Sequence, residues 1–256
     1  MTVRLEVVPE AAWAGRVADE LAERLRDRPA LRLCLPSGDT PSAVFDELVR
    51  RSRAGEMSFA AATIVLLDEF LGLSPGDPAR CDVRLGRELL SRLDPAPAAV
   101  HLIAADGADP DAAARAHDAV AAEGLDLMLL GLGMNGHVGL NEPGSRPDSP
   151  TRVVETAPAS RVAALERYGA GSVPERGITL GMDRVLAARE AWLLVTGARK
   201  AAVLARALEG PIGPDCPASL LRRHAALAVF ADEPAAGRLA RDRSPRPGGG
   251  SSRPPG

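Results

Sequence analysis

Residues 31–49 read LRLCLPSGDTPSAVFDELV, and this stretch decides the fold. The run LRLCL (31–35) is short, apolar and unbroken, the pattern of a strand buried on both faces. Pro36-Ser37-Gly38-Asp39-Thr40-Pro41 then makes a tight polar turn. After it, Val44, Phe45, Leu48 and Val49 fall at helical spacing. Thr40 before Pro41 predicts a cap followed by a first helical turn, because proline tolerates that position and fixes φ. Strand, turn and helix in so short a span form the repeating unit of a parallel sheet.

The same rhythm continues outward. Trp13, Val17, Leu21 and Leu25 recur every four residues and predict a helix over 10–27. TIVLL (63–67) is a second buried strand, ending at Asp68-Glu69. Val83, Leu89, Leu90 and Leu93 mark a helix, Asp109-Pro110 opens another, and LDLMLL (125–130) is a third strand. Trp192–Val195 is a strand, 198–209 a helix stopped by Gly210, and Leu227–Phe230 a final strand. Residues 131–150, rich in Gly, Asn and Pro, read as a functional loop, and the weakly periodic stretch 145–176 as a mobile flap. From 237 the chain gains Arg, Pro and Gly and reads as a disordered tail. The expectation is an α/β fold, one domain over 1–236 with a tail over 237–256. Its mostly parallel sheet carries helices on both faces and places its ligand beyond the carboxyl ends of the strands.

Composition excludes several classes. The 256 residues are 46% hydrophobic and 25% charged, as in ordinary globular proteins. With 31 basic and 34 acidic residues the formal net charge is −3, so no global field draws nucleic acid or an anionic membrane. Aromatics are 3%, leaving few rings to stack on bases. There is no apolar run of membrane-spanning length and no secretory signal pattern. Three scattered cysteines, Cys34, Cys81 and Cys216, fit a reduced chain without a disulfide framework. The expected location is the cytoplasm.

Four segments after strands carry candidate chemistry. Ser37, Gly38 and Thr40 suit a phosphate at a helix N-terminus, or simply an ordinary turn; the Asp39 carboxylate repels phosphate unless it points away. Lys200, in the first turn of a helix, is misplaced for the helix dipole unless an anion is present; a solvated lysine is the plainer reading. Asp68 and Glu69 face opposite sides of their strand. One of them projects as a base, or Asp68 only caps the following turn. In GLGMNGHVGLNEP (131–143), G131-x-G133-x-x-G136 lacks the helix that a dinucleotide fingerprint requires. His137 with Glu142 has the makings of an acid–base pair, set against a surface histidine. The four histidines show no metal-ligand spacing, so neither metal nor organic cofactor is expected.

LPSGDTP, LLDEFLGL, DLMLLGLGMNGHVGLNEPGS and ITLGMDR…WLLVTGARKAAVLARALEG resemble, in that order, the glucosamine-6-phosphate deaminases. That family has a Rossmann-like fold shared with 6-phosphogluconolactonases, and the resemblance runs over roughly 10–235. It implies conversion of a phosphorylated amino sugar to fructose 6-phosphate and ammonia. His137, supported by Glu142, would open the sugar ring, and Asp68 would carry a proton between C2 and C1. Asn135 stands where many members have Asp and would position His137. Ser37, Gly38, Thr40 and Lys200 match the sugar-phosphate site, and Asp39, Gly136 and Arg167 complete the implied substrate-binding set. Arg161 is the alternative to Arg167 as the flap's phosphate arginine. Ser145 and Arg152 match part of an inter-subunit allosteric site of hexameric members, but Val154 stands where its lysine would be. A homo-oligomer is among the assemblies the resemblance allows. A lactonase and a catalytically silent sugar-phosphate binder are the rival readings.

Overall fold

The computed structural model describes residues 3–169 and 173–240. Along them run β1 (Arg4–Val8), α1 (Glu10–Asp27), β2 (Arg32–Leu35), α2 (Asp39–Arg53), β3 (Thr63–Leu66), β4 (Asp68–Leu71) and α3 (Cys81–Glu88). Next come β5 (Ala99–His101), α4 (Pro110–Ala122), β6 (Leu127–Gly131), β7 (Arg152–Glu155), α5 (Pro158–Tyr168), β8 (Arg176–Thr179) and α6 (Met182–Ala187). The described chain finishes with β9 (Glu190–Val195), α7 (Ala201–Glu209), α8 (Pro217–Leu220), β10 (Leu227–Asp232) and α9 (Glu233–Ala236).

Seven strands form one parallel sheet in the order β1-β10-β9-β6-β2-β3-β5. Side chains alternate across it, so each strand feeds two cores. Leu33, Leu35, Ile64, Leu66, Trp192, Leu194 and Phe230 pack against α1, α2 and α3. Cys34, Val65, Leu130, Leu193, Val195 and Val229 pack on the other face against α6 and α7. This double burial is why the strands read as unbroken apolar runs. On α2, Val44, Phe45 and Leu48 are fully buried, each such side chain contributing roughly 2 kcal/mol. The Trp13 indole donates to the Phe230 carbonyl at 3.0 Å and pins α1 to β10. The fold is therefore the expected Rossmann-like α/β sheet. Order reverses between β2 and β6, because later strands add outward in both directions. A ligand crevice belongs at that switch point, at the strands' carboxyl ends.

Several local expectations change. Gly38, at φ 146°, is the N-cap of α2, so the helix opens at Asp39, and Thr40 lies inside its first turn rather than capping it. The apolar strand stops at Leu66; Asp68 and Glu69 begin β4, which pairs antiparallel with β8 in a separate sheet, β4-β8-β7. The segment read as a flap contains regular structure, β7 and α5, whose apolar residues are too dispersed for a clean period. Edge strands β1 and β5 were not legible, being half-exposed or three residues long. Ala198–Lys200 is a 3₁₀ turn, and α7 proper begins at Ala201. Of the stretch read as a tail, Leu239 packs on the core and Ala240 N–H donates to Glu209; residues 241–256 lie outside the described set. Among the described residues, no helix is long and apolar enough to cross a membrane.

Candidate functional site

The loop after β6 is built to hold one imidazole. Gly133 N–H donates to His137 O at 2.9 Å, Gly136 N–H donates to Gly133 O at 3.0 Å, and Val138 bridges Asn141. Asn141 is fully buried and donates to Leu180 O at 2.8 Å, which ties the loop to the segment after β8. The His137 ring lies flat against Gly133: a methyl group there would stand 2.3 Å from Cδ2 and Nε2. Nδ1 of His137 is 3.1 Å from Glu142 Oε2.

Glu142 is the hub. Its Oε2 also accepts from Asn135 Nδ2 at 2.8 Å, while Asn135 Oδ1 accepts the His137 backbone N–H at 3.1 Å. Its Oε1 accepts from Ser160 Oγ at 2.6 Å and from Ala157 N–H at 3.2 Å, so the carboxylate caps α5 as well. Burial alone would raise this carboxyl's pKa. The bond from His137, its positive charge and the bonds from Ser160 and Asn135 outweigh burial and hold it at about 2. Glu142 is thus a permanent anion.

Asp68 approaches the same loop from β4. A methyl group on Gly139 would stand 3.2 Å from Asp68 Oδ2 and 2.9 Å from Thr179 Oγ1. Asp68 is 7% exposed, and burial lifts its pKa to about 6, against the Cys81 thiol bond and the His137 charge. Its neighbour Glu69 turns the other way and accepts the Cys81 and Asp82 backbone N–H groups at 2.9 and 2.7 Å. Glu69, not Asp68, caps the following helix α3. Ser37, at the end of β2, bonds the Cys81 thiol, placing it beside Asp68. Lys200, after β9, donates from Nζ to Leu132 O at 2.6 Å, and burial together with Arg199 lowers its pKa.

Asp68, His137, Glu142, Asn135 and Gly136 therefore gather at the carboxyl ends of β3 and β6, with Ser37 and Lys200 arriving from β2 and β9. Gly38, Asp39 and Thr40 open α2 beside Ser37. The Arg167 side chain lies outside the described residues, and Arg161 Nε donates to Thr156 O at 3.0 Å. Arg152 bonds Asn141 Oδ1 and Ser145 Oγ at 3.0 and 2.9 Å. Sequence reading missed Ser160, Cys81 and Arg84, because each acts on a residue distant along the chain. Ser160 alone carried a signal, a hydroxyl just after the Ala157-Pro158 helix start. Among the described residues, no group of three or more His, Cys, Asp or Glu is arranged for a metal ion.

Residues 9–229 match the family described as glucosamine-6-phosphate isomerases/6-phosphogluconolactonase. The chain is 38% identical over 242 residues to a glucosamine-6-phosphate deaminase of Rhodopirellula baltica, covering 93% of this chain and 96% of that protein. Against the Streptomyces coelicolor enzyme of the same name, identity is 36%, with 91% of each chain covered. A solved structure of a monomeric glucosamine-6-phosphate deaminase superposes with a TM-score of 0.86 at 31% identity, over 93% of this chain and all of that one. The 6-phosphogluconolactonase of Leishmania guyanensis shares the fold, with a TM-score of 0.73 at 19% identity, over 94% of this chain and all of that one.

Proposed function

The chain belongs to the glucosamine-6-phosphate isomerase/6-phosphogluconolactonase family and is an enzyme, and on that premise we propose that it converts glucosamine 6-phosphate and water to fructose 6-phosphate and ammonia. The observation that carries the proposal is the hydrogen-bonded set His137–Glu142–Asn135 beside a buried Asp68.

His137 takes the O1 proton of the closed sugar and returns one to O5, opening the ring to the C1 aldehyde. Glu142, anionic at every working pH, holds the imidazole through Nδ1 and stabilises its cationic form. Asp68, ionised above about pH 6, removes the C2 proton while His137 protonates O1, giving an enol-amine. Asp68 returns its proton to C1, leaving an iminium at C2. Water adds to C2, and the C–N bond breaks with the nitrogen leaving as ammonia. Carboxylate suits the carbon proton because the adjacent carbonyl acidifies it, and imidazole suits the oxygen protons near pH 7. Lys200, Ser37, Gly38, Thr40 and the α2 N-terminus serve the phosphate, with Lys200 as its point charge.

Incubation with glucosamine 6-phosphate, scored for equimolar ammonia and fructose 6-phosphate, tests this. Acid release from 6-phosphogluconolactone without ammonia would convert the assignment to a lactonase. Tight sugar-phosphate binding with no turnover of either compound would make the protein a silent binder.

A further inference from the structure

Asp39 puts a negative charge on the first residue of α2, at the helix end that the proposed reading gives to a phosphate. A phosphate dianion and a carboxylate do not share such a site unless something neutralises the carboxylate. The structure holds the neutralising group in Arg84 of α3, a guanidinium only 4% exposed. Its NH2 donates to Asp39 Oδ1 at 3.3 Å and to Ser42 Oγ at 3.4 Å, on the first turns of α2. Its NH1 donates to the Tyr168 hydroxyl at 2.8 Å, at the end of α5, and its Nε to Glu88 Oε1 at 3.3 Å.

Glu88 does not consume Arg84. It has a second cation, Arg87, at 3.1 Å, and Ser42 Oγ lies 2.7 Å from its other oxygen. The two arginines and the two carboxylates therefore balance, and the charge that Arg84 supplies falls to Asp39. Asp39 itself reaches solvent, its side chain 70% exposed, while Arg84 lies beneath it. An arginine buried this deeply is rare without a partner that needs it. Through Tyr168 the same guanidinium ties α5, the helix whose other end is capped by Glu142, to the phosphate end of the crevice.

We propose that Arg84 is a positioning residue for the phosphate end of the site: it neutralises Asp39 at the α2 N-terminus and anchors α5 there through Tyr168. The inference rests on the assignment of that end to a sugar phosphate. It makes an uncommon demand, because the two members of one ion pair must act on anion affinity with opposite sign. Removing Asp39's charge leaves Arg84 as surplus positive charge and strengthens anion binding. Removing Arg84 exposes Asp39 to the anion and weakens it.

Inorganic phosphate titrated by calorimetry at low ionic strength reads this directly, with KM for glucosamine 6-phosphate read alongside. D39N tightens phosphate severalfold, R84M weakens it about tenfold, and D39N/R84M returns to within about threefold of the unmodified chain. All three differences shrink at high salt. Equal weakening by both single substitutions would reduce the pair to a structural strut and overturn the proposal. An R84M defect that D39N leaves unrescued would make Arg84 a direct phosphate ligand and also overturn it. If R84M does not fold, the sign of D39N decides, with R84K expected to bind phosphate nearly as well as the unmodified chain. Because phosphate binding is measured without turnover, absence of deamination would sink the proposed reaction and leave this inference to its own result.

Discussion

Replacing Gly133 by alanine tests whether the loop after β6 exists to place His137. The added methyl would stand 2.3 Å from Cδ2 and Nε2 and 2.4 Å from Cε1 of that ring. Ordinary carbon contacts begin near 3.5 Å, so the ring or the loop must yield by about 1.2 Å. The ring has no easy retreat. Nδ1 is held on Glu142, and Glu142 is held by Asn135, Ser160 and Ala157. Gly133 is not among the glycines with positive φ, so alanine fits its backbone and the perturbation is purely steric. A misplacement of about 1 Å at a reacting group costs roughly 10²-fold, equivalent to about 2.7 kcal/mol in the barrier. The expected kcat/KM of G133A for glucosamine 6-phosphate is therefore about one hundredth of the unmodified value, read by ammonia release. Gly131→Ala is the control. Nothing lies within 4 Å of its added methyl, and turnover should stay within about threefold. A folded G133A that turns over like the control would refute the idea that this close approach positions the imidazole.

Under the same reading, Asp68→Asn removes the carbon base and should lower kcat by at least about 10³-fold while sugar-phosphate binding persists. Burial raises the Asp68 pKa from 3.8 to about 6, so holding the ionised form costs the fold up to about 3 kcal/mol, in full above pH 6. D68N should thus melt higher than the unmodified chain at pH 8, the advantage fading as pH falls from 6 towards 4. For the unmodified enzyme, kcat/KM should rise with pH through about 6 as Asp68 ionises; a flat profile from pH 5 to 8 would remove Asp68 as the base. Glu142 has the opposite sign, its pKa lowered from 4.5 to about 2, so its charge stabilises the fold above pH 4.5. E142Q should lose stability at pH 7, with the deficit shrinking as pH drops towards 2 in thermal melts. Lys200→Met should raise KM for glucosamine 6-phosphate at least tenfold with a smaller change in kcat, because a buried amine that meets the phosphate acts in binding.

Much of the molecule was legible along the chain because its causes are local. Strands buried on both faces write themselves as apolar runs, which is how LRLCL, TIVLL and LDLMLL could be placed without coordinates. Trp13, Val17, Leu21 and Leu25 announced α1 because a helix returns to one face every four residues. Asp109 announced its own cap, and it does accept the Ala112 N–H at 2.9 Å. The reading failed where local pattern and tertiary role diverge. DEFL (68–71) has no apolar run, yet it is a strand, since β8 supplies its hydrogen bonds. The α2 start moved from Thr40 to Gly38 because a glycine at positive φ turned the chain earlier than a hydroxyl cap would.

By itself the sequence determined the α/β alternation, the two-faced sheet and the loops in which chemistry could reside, all consequences of backbone periodicity and turn residues. It named Asp68, His137 and Glu142 as residues worth watching. Only the tertiary structure decided what surrounds them: Asp68 against the Gly139 backbone, Glu142 capping α5, Glu69 diverted to α3, and Arg84 beneath Asp39. Those relations join residues brought together by strand order and helix packing, and no period or motif along the chain records which distant charge will neutralise which.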